Sequence, residues 1–124
     1  MRIEITSFGH NYGTPEADVI LDVRCLENPF WVPELKEKCG LDAEVQNYIL
    51  GFPECREYLE RMTDLLSLQA RMAKRRGLDC LRIAIGCTGG RHRSVTAAEL
   101  LADRFRKEEY DVTLTHRDIR RERR

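Results

Sequence analysis

Residues 83–94, Ile-Ala-Ile-Gly-Cys-Thr-Gly-Gly-Arg-His-Arg-Ser, decide the fold of this chain. The apolar run at 83–85 predicts a buried strand, and the helical spacing of apolar residues over 95–107 predicts an amphipathic helix. The segment between them is therefore a strand-to-helix turn. The first four amides of a helix have no partner within it, and that end carries about half a positive charge. Backbone N–H groups of the turn thus point at whatever occupies it.

The residue types in this turn favour an anion, above all a phosphate. Gly89 and Gly90 let the backbone curl without a Cβ atom, and Arg91 and Arg93 add fixed positive charge. An arginine fork can bind two phosphate oxygens at once. A plain surface turn with a helix cap is the alternative, although a cap needs neither two glycines nor two arginines. The candidate ligand-binding residues are Cys87, Thr88, Gly89, Gly90, Arg91, His92, Arg93 and Ser94 in the turn, and Arg24 outside it.

Outward from this turn, the chain alternates strand and helix patterns. Strand patterns cover residues 2–7, 19–23, 81–86 and 111–115, and helix patterns cover residues 42–50, 53–76 and 95–107. Strands separated by helices predict a single α/β domain, a mostly parallel sheet of about four strands with helices packed on it. The link between the first two strands is short for a parallel crossover, which leaves their pairing open. We assign residues 1–116 to this domain and residues 117–124 to a basic C-terminal tail.

The carboxyl ends of parallel strands meet at one edge of a sheet, where ligands of open α/β sheets bind. Alternation along the second strand places Asp22 and Arg24 on the same side. They form either a structural ion pair or, through Arg24, a second contact to the anion. Trp31 is expected to be a core or interface anchor, with stacking on a ligand ring as the alternative. The residues that this edge would collect are Ser7, Asp22, Arg24, Cys87, Thr88 and His116.

The spacing of Cys87, Arg93 and Ser94 also resembles the C-x5-R-[ST] loop of cysteine-dependent phosphatases. In that chemistry a thiolate attacks the phosphorus, and the loop dipoles and the arginine keep it ionised. Such enzymes also need an acid to protonate the leaving oxygen, and Asp22 is the only well-placed candidate. Because Arg24 would hold Asp22 in its ionised form, we favour a non-catalytic module over a phosphatase that uses Cys87 and Asp22.

Charge is unevenly distributed along the chain, although it sums to zero. Residues 1–60 hold 5 basic and 12 acidic residues, a net charge of −7, whereas residues 61–124 hold 16 and 9, a net charge of +7. Either the two halves attract each other or the basic half meets an anionic partner. The tail is either a frayed, solvated end or a contact to RNA phosphates, and an RNA-binding adapter without a small ligand is a third hypothesis. The candidate RNA-binding residues are Arg117, Arg120, Arg121, Arg123 and Arg124.

Composition argues against several other classes of protein. Five cysteines, an odd number without a C-x-x-C pair, argue against a disulfide framework or a zinc site, and the three histidines are far apart. We therefore expect no metal and no cofactor. No apolar run reaches the roughly 18–20 residues of a membrane span, and the N-terminal residues follow a strand pattern rather than that of a signal peptide. We expect a cytoplasmic protein without a membrane contact.

Three ordered motifs resemble the C-terminal domain of the RNase adapter protein RapZ, a family also described as YvcJ-like nucleotide-binding proteins. They are Thr-Ser-Phe-Gly-His-Asn-Tyr-Gly at 6–13, Asp-Val-Arg-Cys-Leu-Glu-Asn-Pro-Phe-Trp at 22–31 and Gly-Cys-Thr-Gly-Gly-Arg-His-Arg-Ser-Val at 86–95. The resemblance covers nearly the whole chain, with residues 51–80 matching only loosely. Family members join this domain to an N-terminal P-loop domain, and no G-x4-G-K-[ST] motif occurs here. The chain therefore looks like a stand-alone version, and the ATP or GTP binding of the longer proteins is not carried over.

The resemblance implies a function as well as a fold. Domains of this family are similar to a phosphofructokinase subdomain and are implicated in sensing a phosphorylated amino sugar, in binding small RNA and in oligomerising. Thr88, Gly89, Gly90 and Arg93 match the family's phosphosugar loop. Phe30 stands where many relatives have histidine in Asn-Pro-His-Trp, so the identity of the sugar is open. The resemblance thus implies a homo-oligomeric sensor or adapter whose partners are a phosphorylated small molecule and a small RNA.

Overall fold

The computed structural model of the chain describes residues 1–121 and shows a sheet with helices packed against it. Its strands are β1 (Arg2–Gly9), β2 (Val19–Asp22), β3 (Cys80–Cys87) and β4 (Asp111–His116), and its α-helices are α1 (Ala43–Leu50), α2 (Pro53–Arg75) and α3 (Arg93–Lys107). Short 3₁₀ turns cover His10–Tyr12 and Pro29–Trp31. The elements follow the predicted order, so the α/β class is confirmed.

The strands of this sheet are all parallel, in the order β2-β3-β1-β4. Because β2 pairs with β3, the short link after β1 does not join neighbouring strands. The register sets Gly9 beside Cys87 and Asp22 beside Gly86. The carboxyl ends of the strands therefore meet at one edge, as the sequence predicted.

The core lies between the helices and one face of the sheet. Ile3, Ile5, Ile83 and Ile85 are almost completely buried on this side. α3 packs on β1, β3 and β4, while α1 and α2 pack on α3. This packing fixes the start of α3 beside the ends of β1 and β3. The buried apolar residues of α2 recur at every third or fourth position, as an amphipathic helix requires: Cys55, Leu59, Met62, Leu66 and Ala70.

Two boundaries differ from the predicted ones and bear on the sheet edge. β1 runs on to Gly9, because Phe8 and Gly9 continue the pairing with β3. α3 begins at Arg93 rather than at residue 95, so Arg93 and Ser94 lie in its first turn. A helix, rather than a loop, therefore positions the side chain of Arg93.

The residues after β4 fold back onto the end of β1. The amide of Arg117 donates to the carbonyl of Ser7 at 3.0 Å, and the amide of Gly9 donates to Oδ2 of Asp118 at 2.8 Å. Asp118 is 1% exposed. Burial alone would raise the pKa of Asp118, but hydrogen bonds from Arg117, the Gly9 amide and Arg121 hold that pKa below its usual value. A buried carboxylate thus fastens residues 117–121 to the sheet edge.

Residues 1–121 contain no helix that is both long and apolar enough to cross a membrane. In the same part of the chain, no three His, Cys, Asp or Glu side chains lie close enough together to hold a metal ion. All five cysteines are free thiols, and Cys55 and Cys87 are buried.

Candidate anion-binding site

A cleft of about 300 Å³ lies at the turn between β3 and α3. It contains six of the residues that the sequence assigned to an anion site. Three others, Gly90, Ser94 and Arg24, do not line it. The lining residues are Asn28, Phe30, Trp31, Cys87, Thr88, Gly89, Arg91, His92 and Arg93.

Glycines bring the turn into direct contact with the end of β1. Gly90 has a φ of +74°, which residues with a side chain rarely adopt. A Cβ atom on Gly90 would lie 2.5 Å from the amide nitrogen of Gly9, and one on Gly9 would lie 2.5 Å from the carbonyl carbon of Gly89. Neither position has room for a methyl group, because the obstructing atoms are backbone. The backbone packing therefore needs these glycines.

Several carbonyls of the turn accept hydrogen bonds, whereas some of its amides donate none to a carbonyl of the described residues. The carbonyls of Thr88, Arg91 and His92 each accept a hydrogen bond from an amide elsewhere in the chain, at 2.8–3.1 Å. Within residues 1–121, the amides of Gly89, Gly90 and Arg91 donate to no carbonyl. These N–H groups lie just before the N-terminus of α3, where the helix dipole also favours negative charge. The backbone of the turn therefore offers the unpaired N–H groups that an anion site requires.

Arg93 is a buried cation without an anionic partner among the described residues. Only 6% of the residue is exposed. Its Nη1 donates to the carbonyls of Arg24 at 2.6 Å and Leu26 at 3.3 Å, and its Nη2 donates to Oγ1 of Thr88 at 3.3 Å. Its Nε is buried without a hydrogen-bond partner, and no carboxylate in residues 1–121 forms an ion pair with it. Because buried charges in folded proteins are ordinarily paired, the positive charge of the guanidinium is available for an anion.

Arg91 and His92 anchor the turn to the segment before α1. The guanidinium of Arg91 donates to the carbonyl of Lys38, at 3.0 Å, and to that of Glu37. Nε2 of His92 lies 3.2 Å from the carbonyl of Leu35. These contacts hold both side chains in the wall of the cleft, so only part of their hydrogen-bonding capacity is left for a ligand.

The residues that a phosphatase would need are only partly in place. Sγ of Cys87 donates to Oγ of Ser94 at 3.1 Å, and both residues are buried. Hydrogen bonds from the Arg24 side chain hold the pKa of Asp22 at about 2, although burial acts in the opposite direction. Asp22 is therefore ionised at neutral pH and has no proton to give to a leaving oxygen.

Arg24 uses its side chain to bind Asp22. Its Nε and Nη2 donate to both carboxylate oxygens at 2.7–3.1 Å. Nε2 of His10 lies 3.8 Å from the same carboxylate and has no hydrogen-bond partner among residues 1–121. Of the two alternatives that the sequence left open, the structure contains the ion pair. A contact between Arg24 and an anion stays a prediction.

Ser7 and His116 meet at the sheet edge but do not line the cleft. Oγ of Ser7 lies 2.6 Å from Nδ1 of His116, and Nε2 of His116 lies 2.9 Å from Oε2 of Glu99. Ser7 is completely buried, so its hydroxyl is out of reach of a ligand. The three side chains connect β1, β4 and α3, which is a structural role.

Two of the candidate RNA-binding arginines pair with Asp118. Arg117 donates to Oδ2 of Asp118 at 2.8 Å, and Arg121 donates to Oδ1 at 2.7 Å. Arg120 is exposed. Contact of these arginines with RNA stays a prediction. The other two candidates, Arg123 and Arg124, lie outside the described residues.

Three residues of the cleft wall, Asn28, Phe30 and Trp31, were not among the predicted site residues. Oδ1 of Asn28 accepts from the amide of Phe30 at 3.1 Å and so caps the 3₁₀ turn. The rings of Phe30 and Trp31 meet edge to face with centroids 5.0 Å apart. Trp31 is 77% exposed, so it is not a core anchor, while an interface role and stacking on a ligand ring stay predictions. The Asn-Pro-Phe-Trp motif is the signal that could have identified them, because it places an aromatic pair on a capped turn after a strand.

Comparison with known proteins gives matches over almost the whole chain. A family model described as RapZ C-terminal domain matches residues 1–120. Proteins named nucleotide-binding protein from Bacillus cytotoxicus, Bacillus mycoides and Bacillus cereus are each 48% identical to the chain over 119 residues. These matches take in 95% of this chain and 40% of each relative, so the chain spans less than half the length of these proteins.

Proposed function

The chain belongs to the RapZ C-terminal domain family, as its motifs predicted, and we propose that it is a non-catalytic module that binds a phosphorylated metabolite of the phosphosugar type. The proposed site is the cleft between the β3–α3 turn and the 3₁₀ turn Pro29–Trp31. In this role the chain acts as a sensor or adapter domain whose state depends on the bound ligand.

The buried guanidinium of Arg93 is the observation that carries this proposal. Its positive charge has no anionic partner within residues 1–121, and its Nε has an unused N–H group. The oxygens of a phosphate accept strong, charge-assisted hydrogen bonds. A phosphate in front of Arg93 would pair its charge and accept from the amides of Gly89 and Arg91, which also line the cleft. One ligand group would thus satisfy the charge and these two donors.

The size and the wall of the cleft support a phosphorylated sugar. At about 300 Å³, the cleft is at the small end of the usual range for small-molecule sites. Part of its wall is the charged turn, and another part carries the rings of Phe30 and Trp31. An aromatic face suits the C–H side of a sugar ring. The combination of a phosphate contact with a ring contact favours a phosphosugar over phosphate alone.

Thermal unfolding of the full chain tests the proposed site. The probes are inorganic phosphate, a hexosamine phosphate and a nucleotide. Because a ligand that binds only the folded state stabilises it, we expect the hexosamine phosphate to raise the Tm with increasing concentration. Trp31, the only tryptophan, lines the cleft, so its fluorescence gives an independent readout of binding.

Variants of Arg93 connect the response to the site. Arg93→Ala should abolish both the Tm shift and the fluorescence change. Arg93→Lys keeps the charge but loses the fork, and should weaken binding at least about tenfold. Arg106→Ala removes an exposed arginine at the other end of α3 and should bind as the wild type does. Unchanged Tm and fluorescence with every probe, or full binding by Arg93→Ala, would contradict the proposal.

Phosphate hydrolysis through Cys87 is the alternative use of the same turn. Because Asp22 is already ionised at neutral pH, we expect the wild-type chain not to turn over an aryl phosphate at that pH. Product formation by the wild type and by Cys87→Ser is measured side by side. Hydrolysis by the wild type that is lost in Cys87→Ser would contradict the proposed non-catalytic module and show that the chain is a phosphatase.

RNA contact is a second candidate function, and the basic charge of the C-terminal half favours it. Residues 61–124 carry a net charge of +7, and Arg120 is exposed. Deleting the whole tail would also remove Asp118 and disturb the sheet edge. We therefore expect replacement of Arg120, Arg123 and Arg124 by alanine to weaken binding to a small RNA in gel shifts, while wild-type affinity falls steeply with salt. Binding that is insensitive to both changes would argue against an RNA contact.

A further inference from the structure

Lys36 holds an ammonium group beside the cleft, although it is not one of the lining residues. Its Nζ lies over the ring of Phe30, 4.9 Å from the ring centroid, and this ring is part of the cleft wall. The negative face of an aromatic ring attracts a cation and so holds it in place. Besides Arg93, a second positive charge therefore lies next to the cleft.

Contacts on both sides of Lys36 fix its backbone relative to the turn between β3 and α3. The side chains of Arg91 and His92, both in that turn, lie within hydrogen-bond distance of carbonyls in residues 35–38. The amide of Lys36 itself donates to the carbonyl of Val32 at 3.0 Å. The segment that carries the ammonium group is thus attached directly to the turn that would bind a phosphate.

The charge of Lys36 is not neutralised within residues 1–121. Its side chain forms no ion pair there, even with Glu34 and Glu37, which are close to it in the sequence. The neighbouring ammonium group of Lys38, by contrast, pairs with Glu44 at 2.9 Å. None of the described residues that line the cleft is acidic either. This end of the cleft therefore offers an unpaired positive charge to a ligand.

We propose that Lys36 binds a second anionic group and that the ligand of the cleft is a sugar with two phosphate groups. This inference rests on the proposed function, in which one phosphate occupies the turn before α3 and the sugar ring lies against Phe30 and Trp31. The second phosphate then pairs with Lys36, because phosphate oxygens accept charge-assisted hydrogen bonds from an ammonium group.

A sugar bisphosphate fits the charges around the cleft better than a sugar with one phosphate and one amino group. A single phosphate at Arg93 leaves the charge of Lys36 uncompensated. An ammonium group on the sugar would find no acidic residue in the cleft wall, and it would be repelled by the two cations. A hexosamine phosphate therefore binds through its phosphate alone, and a sugar bisphosphate binds more tightly.

Calorimetric titration of the full chain with glucose 6-phosphate and with glucose 1,6-bisphosphate, at constant ionic strength, tests this inference. The two probes share the sugar and differ by one phosphate. The wild type should bind the bisphosphate at least about threefold more tightly, which is the gain expected from one solvent-exposed ion pair.

Variants of Lys36 connect this preference to its charge. Lys36→Met removes the charge but keeps an unbranched side chain over Phe30, so it should bind the two probes with similar Kd values. Lys36→Arg keeps the charge and should keep the preference for the bisphosphate. Lys107→Met removes an exposed lysine at the other end of α3 and should behave as the wild type does. Thermal unfolding checks that each variant is folded.

The outcomes separate this inference from the proposed function. A wild type that binds both probes equally well, or a preference that persists in Lys36→Met, would overturn the role of Lys36 and leave the phosphate site at the turn in place. A wild type that binds neither probe would overturn the phosphate site and this inference with it. The comparison of the two probes on the wild type needs no variant, so it decides even if Lys36→Met does not fold.

Discussion

A guanidinium as buried as that of Arg93 has lost nearly all of its contact with water. Two backbone carbonyls and the hydroxyl of Thr88 replace part of that hydration. Neutral dipoles compensate a full charge less well than a carboxylate or a phosphate does. The same contacts hold the side chain in position before a ligand arrives, which lowers the entropic cost of binding. The chemistry of the site therefore starts from a single residue that is fixed but not neutralised.

Gly90 gives a prediction at the residue scale, because a matched glycine exists elsewhere in the chain. Gly77 has a φ of +86° and open space around its missing Cβ, whereas Gly90, at +74°, would place its Cβ 2.5 Å from the Gly9 amide nitrogen. Gly77→Ala should lower the free energy of unfolding by about 1–2 kcal/mol, the backbone cost alone. Gly90→Ala should lower it by about 3–5 kcal/mol, because a backbone clash is added. Urea denaturation measures both, and equal losses would mean that the turn is not packed against β1.

Six of the cleft-lining residues could be predicted from the sequence, because paired glycines and arginines before a helix favour an anion. Their bonding partners could not be predicted. The carbonyl of Arg24 accepts a hydrogen bond from Arg93, and the side chain of Arg24 binds Asp22. Spacing shows which side of a strand a residue occupies, but not which polar neighbour it bonds. The family resemblance alone connected Phe30 with the ligand, because its turn is more than 50 residues away from the glycine pair in the sequence.

At the scale of elements, a short C-terminal segment stabilises the sheet edge through Asp118. This buried carboxylate accepts from the amide of Gly9 and pairs with Arg117 and Arg121. A Cβ atom on Gly90 would lie 2.9 Å from the Cβ of Asp118, so the segment packs against the turn between β3 and α3 as well. The ends of β1 and β3 and the residues after β4 therefore form one packed unit.

Asp118 should make stability depend on pH. Because its pKa is lower in the folded state, its stabilising contribution is complete above the unfolded pKa of about 4 and is lost as the pH falls through the folded pKa. We expect Asp118→Asn to lower the free energy of unfolding at neutral pH by about 1–3 kcal/mol. On acidification, the variant should lose less of its free energy of unfolding than the wild type does. Asp111→Asn, at an exposed carboxylate, is the control. Urea denaturation at neutral and acidic pH checks this, and identical pH profiles for Asp118→Asn and the wild type would refute it.

The order of strands and helices could be predicted because core-facing side chains repeat with the period of each element. The position of β2 next to β3 could not, since strand order follows from how the whole sheet packs. The end of β1 was predicted too early because Gly9 is typical of a loop. In the structure Gly9 lies in the strand, and the turn packs against it because it has no Cβ atom. The periodicity of side chains thus predicted the elements, whereas tertiary contacts determined the residues at which they end.

At the scale of the whole molecule, the acidic and basic halves of the chain are interleaved rather than separate. β1 and β2 come from the acidic half, β3 and β4 come from the basic half, and the sheet alternates between them in the order β2-β3-β1-β4. Strands from the two halves are therefore neighbours, and the Arg82 guanidinium lies 3.8 Å from the Asp18 carboxylate across them.

An NMR titration of the isotope-labelled full chain with a hexosamine phosphate tests whether an anion binds at the turn before α3. If an anion occupies the turn before α3, saturable shifts should concentrate at the amides of Gly89, Gly90 and Arg91 and at the Nε–H of Arg93, and they should vanish in Arg93→Ala. Titration without saturable shifts at the turn, or with shifts confined to α2 and the C-terminal tail, would contradict anion binding at this turn.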